Sequence, residues 1–256
     1  MDAPVMRILR ERQGDVLVLT MDYPARRNAL AMPLRKQLED ALEEASETGV
    51  RAVVLTGSGG HFCSGGDISG MAVTGIVDGR ERMRRTHRLT RLLAFGNFPL
   101  VAAVEGYCVG AGLSMALICD TVIAAEDARL GAGFGKIGLM PDLGLPFTLP
   151  QRVGVAKARQ ILLYHKQFTG IEAAAIDLVD EVVPKGQALT VALERAHFLA
   201  EQAPGPIALT RQMLAQGLHD SLEVERHFQA ALFATEDSRE GRAAFLEKRT
   251  PKFKGA

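Results

Sequence analysis

Apolar and polar positions alternate along this chain in blocks that change period several times. Met6 to Arg12 and Val16 to Met21 read as two strands around a Gln13-Gly14-Asp15 turn. A loop from Asp22 to Arg27 follows, holding Pro24 and the basic pair Arg26-Arg27. From Pro33 to Thr48, Leu34, Leu38, Ala41, Leu42 and Ala45 recur at helical spacing, and Gly49 closes that helix. Ala52 to Thr56 is a short buried strand, Gly57 to Gly66 a glycine-rich loop, and Arg80 to Phe95 a helix carrying six arginines. Leu100 to Val104 and Thr121 to Ala125 are further apolar strands. Gly131 to Pro150 reads as irregular, Val155 to Tyr164 and Ile171 to Asp177 as helical, and Glu181 to Val183 as a strand. Four helical segments then complete the chain, at 187–202, 206–218, 221–234 and 237–248. Strand–helix alternation followed by an all-helical tail predicts an α/β fold with a helical appendage.

Between the strands at 100–104 and 121–125 lies Gly106 to Asp120, with the tight Gly110-Ala111-Gly112 turn and a helix, Leu113 to Cys119, that is apolar all round. Such a helix is buried. Its first amides lack intrahelical partners and carry partial positive charge. The stretch supports two readings: a cradle for an anionic oxygen, such as a thioester carbonyl becoming an enolate, or a glycine turn serving close packing.

Composition narrows the class. The 256 residues suffice for a large core, and 30 basic against 30 acidic side chains give zero net charge. That balance argues against a general binder of nucleic acid or anionic membrane. No apolar run approaches transmembrane length, and Met1 to Arg10 lacks a signal-peptide core. Cys63, Cys108 and Cys119 show neither disulfide nor zinc spacing, so buried free thiols in a reducing cytoplasm are expected.

Three loops carry the chemistry: His61-Phe62-Cys63-Ser64-Gly65-Gly66-Asp67-Ile68, the central stretch, and Gly138-Leu139-Met140-Pro141-Asp142-Leu143-Gly144. With Pro24 to Leu30 upstream and Arg249 to Gly255 at the end, in this order and spacing, the chain resembles the crotonase superfamily, the enoyl-CoA hydratase/isomerase group. The resemblance implies a spiral of ββα turns over residues 1–196 and a C-terminal helical trimerisation region over 197–256. It also implies a homotrimer or dimer of trimers that takes an acyl-CoA thioester as substrate and needs no metal or other cofactor. Matched position by position, the backbone amides of Gly66 and Ala111 form the oxyanion hole. Ala25, Arg26, Ser64, Gly65, Asp67, Ile68, Gly110, Ser114, Phe134, Leu139 and Phe253 fall at substrate- or CoA-binding positions, Phe253 on a segment that reaches the CoA of a neighbouring subunit.

Two departures from the family pattern direct the reading. Hydratases of the group carry glutamates where this chain has Ser114 and Phe134. Phenylalanine transfers no proton, and an unassisted serine is a poor base. Asp142 remains, in a Pro-Asp-x-Gly loop like that of members that move a double bond; locally it also reads as a loop or N-cap aspartate. The expectation is an isomerase using Asp142, with a hydratase of non-standard base and a silent acyl-CoA binder as alternatives. A serine peptidase of the related fold would need Ser64 or Ser114 to meet His61 or His87, and the spacing gives no such set. Asp67 is expected to fix its own loop, His61 to be solvated, and His87 to resist protonation among its arginines.

Overall fold

A computed structural model describes residues 5–256; residues 1–4, part of the segment read above against a signal peptide, lie outside it. The strands are β1 (Arg7–Gln13), β2 (Val16–Asp22), β3 (Ala52–Gly57), β4 (Leu100–Val104), β5 (Tyr107–Val109), β6 (Thr121–Ala125), β7 (Arg129–Gly131), β8 (Gln167–Phe168) and β9 (Glu181–Val183). The helices are α1 (Met32–Glu47), α2 (Ile76–Phe95), α3 (Ala111–Ile118), α4 (Leu145–Leu163), α5 (Gly170–Ala174), α6 (Ala188–Glu201), α7 (Pro204–Leu214), α8 (Leu218–Phe233) and α9 (Glu236–Glu247).

One sheet runs β1-β2-β3-β4-β6-β9, parallel except for the β1–β2 hairpin. A smaller sheet, β5-β7-β8, lies beside it. Each pass of the chain contributes a strand to the large sheet, a short strand or single bridge to the second layer, and then a helix. β4, β5 and α3 make one such turn; β3, the Cys63–Cys108 bridge and α2 make the one before it. This is the expected spiral of ββα turns.

The strands are apolar on consecutive positions because both faces are covered. Val53, Leu55, Leu100 and Ala102 face the main core beneath α1 and α3. The intervening Ala52, Val54, Val101 and Ala103 face α6, whose stripe Ala188, Ala192, Ala196 and Ala200 lets the helix lie close to the sheet. The expected boundary at residue 196 therefore falls inside a helix that belongs to the core. Beyond it, α8 packs along α2, and α9 lies on a 3₁₀ turn, Gly133–Ile137.

Two other expectations need correction. The region 131–150 is irregular only as far as Gly144: α4 begins at Leu145, accommodates Pro146 in its first turn, and changes direction at Gly154, where φ is 74°. α2 begins at Ile76, a turn earlier than its arginine-rich part suggests. The short strands β5, β7 and β8 carry too few residues for a periodic signal; they exist through pairing with one another.

Candidate active site

A cavity of about 730 Å³ opens between the spiral and the C-terminal helices. Its floor is the pair of glycine loops. Asn28, fully buried, holds the first loop: its Oδ1 accepts from the Tyr23 N–H and its Nδ2 donates to the carbonyls of Ser58 and His61. The Cys63 N–H donates to Tyr107 and the Val109 N–H to Cys63, laying this loop along β5. Gly112 makes the fit possible, since a Cβ there would stand 2.4 Å from the Cys63 carbonyl oxygen. Gly110, at φ 55°, ψ −121°, adopts a backbone conformation open only to glycine, and α3 starts directly after it. α3 starts two residues earlier than the sequence reading has it, which makes Ala111 its first residue.

Gly66 and Ala111 both line the cavity, and neither N–H has an acceptor among the described residues. The two loops touch: a Cβ on Gly110 would lie 3.8 Å from the Gly65 Cα and 3.8 Å from the Phe134 ring. Unpartnered amides on adjoining loops, one at a helix N-terminus, suit an oxygen that gains negative charge.

Asp142 lines the same cavity, on the loop before α4. Two residues of α8 clamp that loop. Gln229 accepts from the Met140 N–H, donates to the Met140 carbonyl, and reaches Asp142 Oδ2 at 3.4 Å. Glu225 accepts from the N–H groups of Leu143 and Gly144, both at 2.9 Å, and meets His87 Nε2 at 2.8 Å. Asp142 shows part of its surface, yet its Oδ1 is sealed and unpartnered. Burial, and then the Glu225 carboxylate, push its pKa well above the usual carboxylate range; Arg35, Gln229 and His87 oppose that shift. Burial also raises Glu225, against the pull of its two backbone donors. His87 is pushed down to about 4, by burial first and by Arg91 second. It stays neutral, with its arginines a secondary cause.

The structure brings Asp142, Gly66, Ala111, Ala25, Arg26, Ser64, Gly65, Asp67, Ile68, Gly110, Phe134 and Leu139 to this one cavity. Ser64 donates to the Arg26 carbonyl, which joins the basic loop to the glycine loop. Asp67 Oδ1 accepts from the Ser69 N–H and hydroxyl, as its loop-fixing role requires. Two residues are not brought there. Ser114 is fully buried behind the turn, its hydroxyl donating to the Gly110 carbonyl, so it does not line the cavity. Phe253 stands exposed on the terminal segment, away from the cavity of its own chain. His61 is not freely solvated: its Nδ1 accepts from the Tyr107 N–H at 3.3 Å, and its pKa is lowered by burial and by Arg27. Burial raises all three thiols, Cys63 to about 11 and Cys119 to about 12.

Sequence reasoning missed Arg35 and Thr86, which line the cavity, and Glu225 and Gln229, which clamp the Asp142 loop. Arg35 left a trace: it falls on the Ala31-Leu34-Leu38-Leu42 stripe of α1, where a charge is out of place. Among the described residues, no three His, Cys, Asp or Glu side chains are placed to hold a metal ion, and no helix is long and apolar enough to cross a membrane.

A family model described as enoyl-CoA hydratase/isomerase matches residues 11–256. The chain is 39% identical over 253 residues to the 2,3-dehydroadipyl-CoA hydratase of Escherichia coli, covering 97% of this chain and 98% of that protein. It is 31% identical over 248 residues to the short-chain-enoyl-CoA hydratase of Clostridium acetobutylicum, covering 94% and 95% of the two chains. An enoyl-CoA hydratase from Mycobacterium avium subsp. paratuberculosis superposes with a TM-score of 0.87 at 31% identity, over 98% of this chain and 100% of that one. With the spiral fold, the glycine-loop cavity and these likenesses in agreement, the chain belongs to the enoyl-CoA hydratase/isomerase family, the crotonase superfamily.

Proposed function

We propose that the chain shifts the double bond of an enoyl-CoA thioester. The observation that carries this reading is that, of the two carboxylates lining the cavity among the described residues, Asp67 is tied to its own loop through Ser69, while Asp142 keeps one oxygen unpartnered. With a 3-enoyl-CoA bound, the Asp142 carboxylate takes a proton from the α-carbon. The negative charge spreads from the α-carbon to the γ-carbon and the thioester oxygen, where the Gly66 and Ala111 N–H groups hold it. Asp142 then returns the proton to the γ-carbon, leaving a 2-enoyl-CoA. One carboxylate serves both steps, and its raised pKa brings its basicity nearer that of an enolising carbon. The reaction draws on no metal or redox cofactor.

Asp142→Asn tests the assignment. Turnover of a 3-enoyl-CoA falls by about 10²–10⁴, the usual worth of a positioned proton carrier, while acyl-CoA binding by calorimetry persists. Unchanged turnover would sink the reading.

A second reading, water addition, has the names of the curated relatives behind it. It requires a base for water where this chain has Ser114 and Phe134. Hydration of a 2-enoyl-CoA by the unaltered protein at a rate above its isomerase rate would replace the first reading; binding without any turnover would favour a silent acyl-CoA binder. The proposed assembly is a homotrimer or dimer of trimers, in keeping with the exposed Leu209, Met213, Leu214 and Phe228 on the C-terminal helices. The three buried free thiols suit the proposed cytoplasmic location.

A further inference from the structure

Two guanidinium groups stand in the cavity wall with no carboxylate within 4 Å among the described residues. Arg35 of α1 is 5% exposed; its Nη1 donates to Thr86 Oγ1 of α2, and its Nε is sealed and unpartnered. Arg82 lies one helical turn before Thr86, so Arg82 and Thr86 share a face of α2. Both arginines line the cavity. Among the described residues Arg82 makes no hydrogen bond, and neither arginine has a carboxylate within 4 Å. The nearby acids are engaged elsewhere. Asp67 accepts from Ser69, Asp78 accepts from the Thr74 N–H, and Glu39 faces Arg88 at 3.8 Å. Asp142 acts on both arginines across a longer distance.

Removing a cation from water is costly unless a partner or ligand supplies the opposite charge. The lining that these cations and the glycine loops share also holds an apolar cluster, Met83, Ile137, Leu139 and Phe233. Such a cluster accommodates methylenes, and the two guanidinium groups of the same cavity seek an anion. A planar guanidinium recognises a carboxylate through paired hydrogen bonds.

We infer that this cavity selects an acyl-CoA whose acyl chain ends in a carboxylate, with Arg82 and Arg35 as the residues that recognise that end. The inference rests on the acyl-CoA seating proposed above, and not on which reaction follows. A ligand charge would complete the cavity wall.

Calorimetry with saturated thioesters, which cannot be isomerised or hydrated, tests it: glutaryl- against pentanoyl-CoA, and adipyl- against hexanoyl-CoA. The acid-ended member of at least one pair binds roughly tenfold more tightly or better, the worth of a hydrogen bond to a charged group. In Arg82→Met that ratio falls to near one, and in Arg82→Lys part of it survives. Equal or weaker binding of the acid-ended member in both pairs overturns the inference. So does a ratio untouched by both Arg82→Met and Arg35→Lys, or an Arg82→Met that weakens free CoA by the same factor. Because no turnover is read, an Asp142→Asn variant that keeps full isomerase activity would remove the proposed reaction and leave this result standing.

Discussion

At the level of single residues, the site turns on carboxyls whose charge is discouraged. Asp142 and Glu225 sit close enough to influence each other, so the pair titrates together and an apparent pKa belongs to both. The proposed base works as the anion. Activity therefore rises with pH through the raised pKa, and the acidic limb lies well above that of an ordinary carboxylate. Glu225→Gln removes a negative neighbour that raises Asp142, so the acidic limb of the kcat/KM profile moves to lower pH; a limb that stays put or moves up would show that Glu225 does not act on the base. Asp142 was legible in the sequence because a motif surrounds it. Glu225 and His87 were not: they lie 138 residues apart, and their 2.8 Å contact is a product of the fold. Ser114 matches a binding position of the motif, but such a position says nothing of where its hydroxyl turns, and it turns to the Gly110 carbonyl.

Among the elements, the legible ones generate their own signal. β2, β3, β4 and β6 are runs of apolar residues buried on both faces, and α1 shows a regular stripe. β5, β7 and β8 hold two or three residues each and depend wholly on partners distant in sequence. α4 was obscured by Pro146, which its first turn tolerates, and by Pro150 inside the helix. Close packing without a motif was equally hidden. Gly241 of α9 lies so near the 133–137 turn that a Cβ would stand 2.4 Å from the Ile137 carbonyl carbon. Gly241→Ala therefore lifts α9, costing about 1–3 kcal/mol in urea unfolding, the usual range for overpacking. Phe245 and Leu246 of the same helix line the cavity, so acyl-CoA affinity falls as well. A variant as stable and as tight-binding as the parent would refute this account of α9.

Across the whole molecule, the helical tail is joined to the spiral by packing along α2 and by specific polar ties. Arg211 of α7 is buried; its Nε donates to Asp120 at 2.7 Å, and its Nη groups donate to the carbonyls of Leu93 and Gly96. Arg211→Met leaves those acceptors unpaired and costs about 3 kcal/mol, the low end for a broken buried pair because Asp120 keeps some water. Loss of well under 1 kcal/mol in urea unfolding would mean the tail is held by apolar contact alone. The shared cavity has a consequence for how such a protein diversifies. The amide cradle is main chain, fixed by turns that tolerate little change. The wall opposite is made of side chains on α1, α2, α8 and α9, each replaceable one at a time. Descendants of this chain can acquire new diets by editing that wall, while the machinery that tames the thioester passes down unaltered.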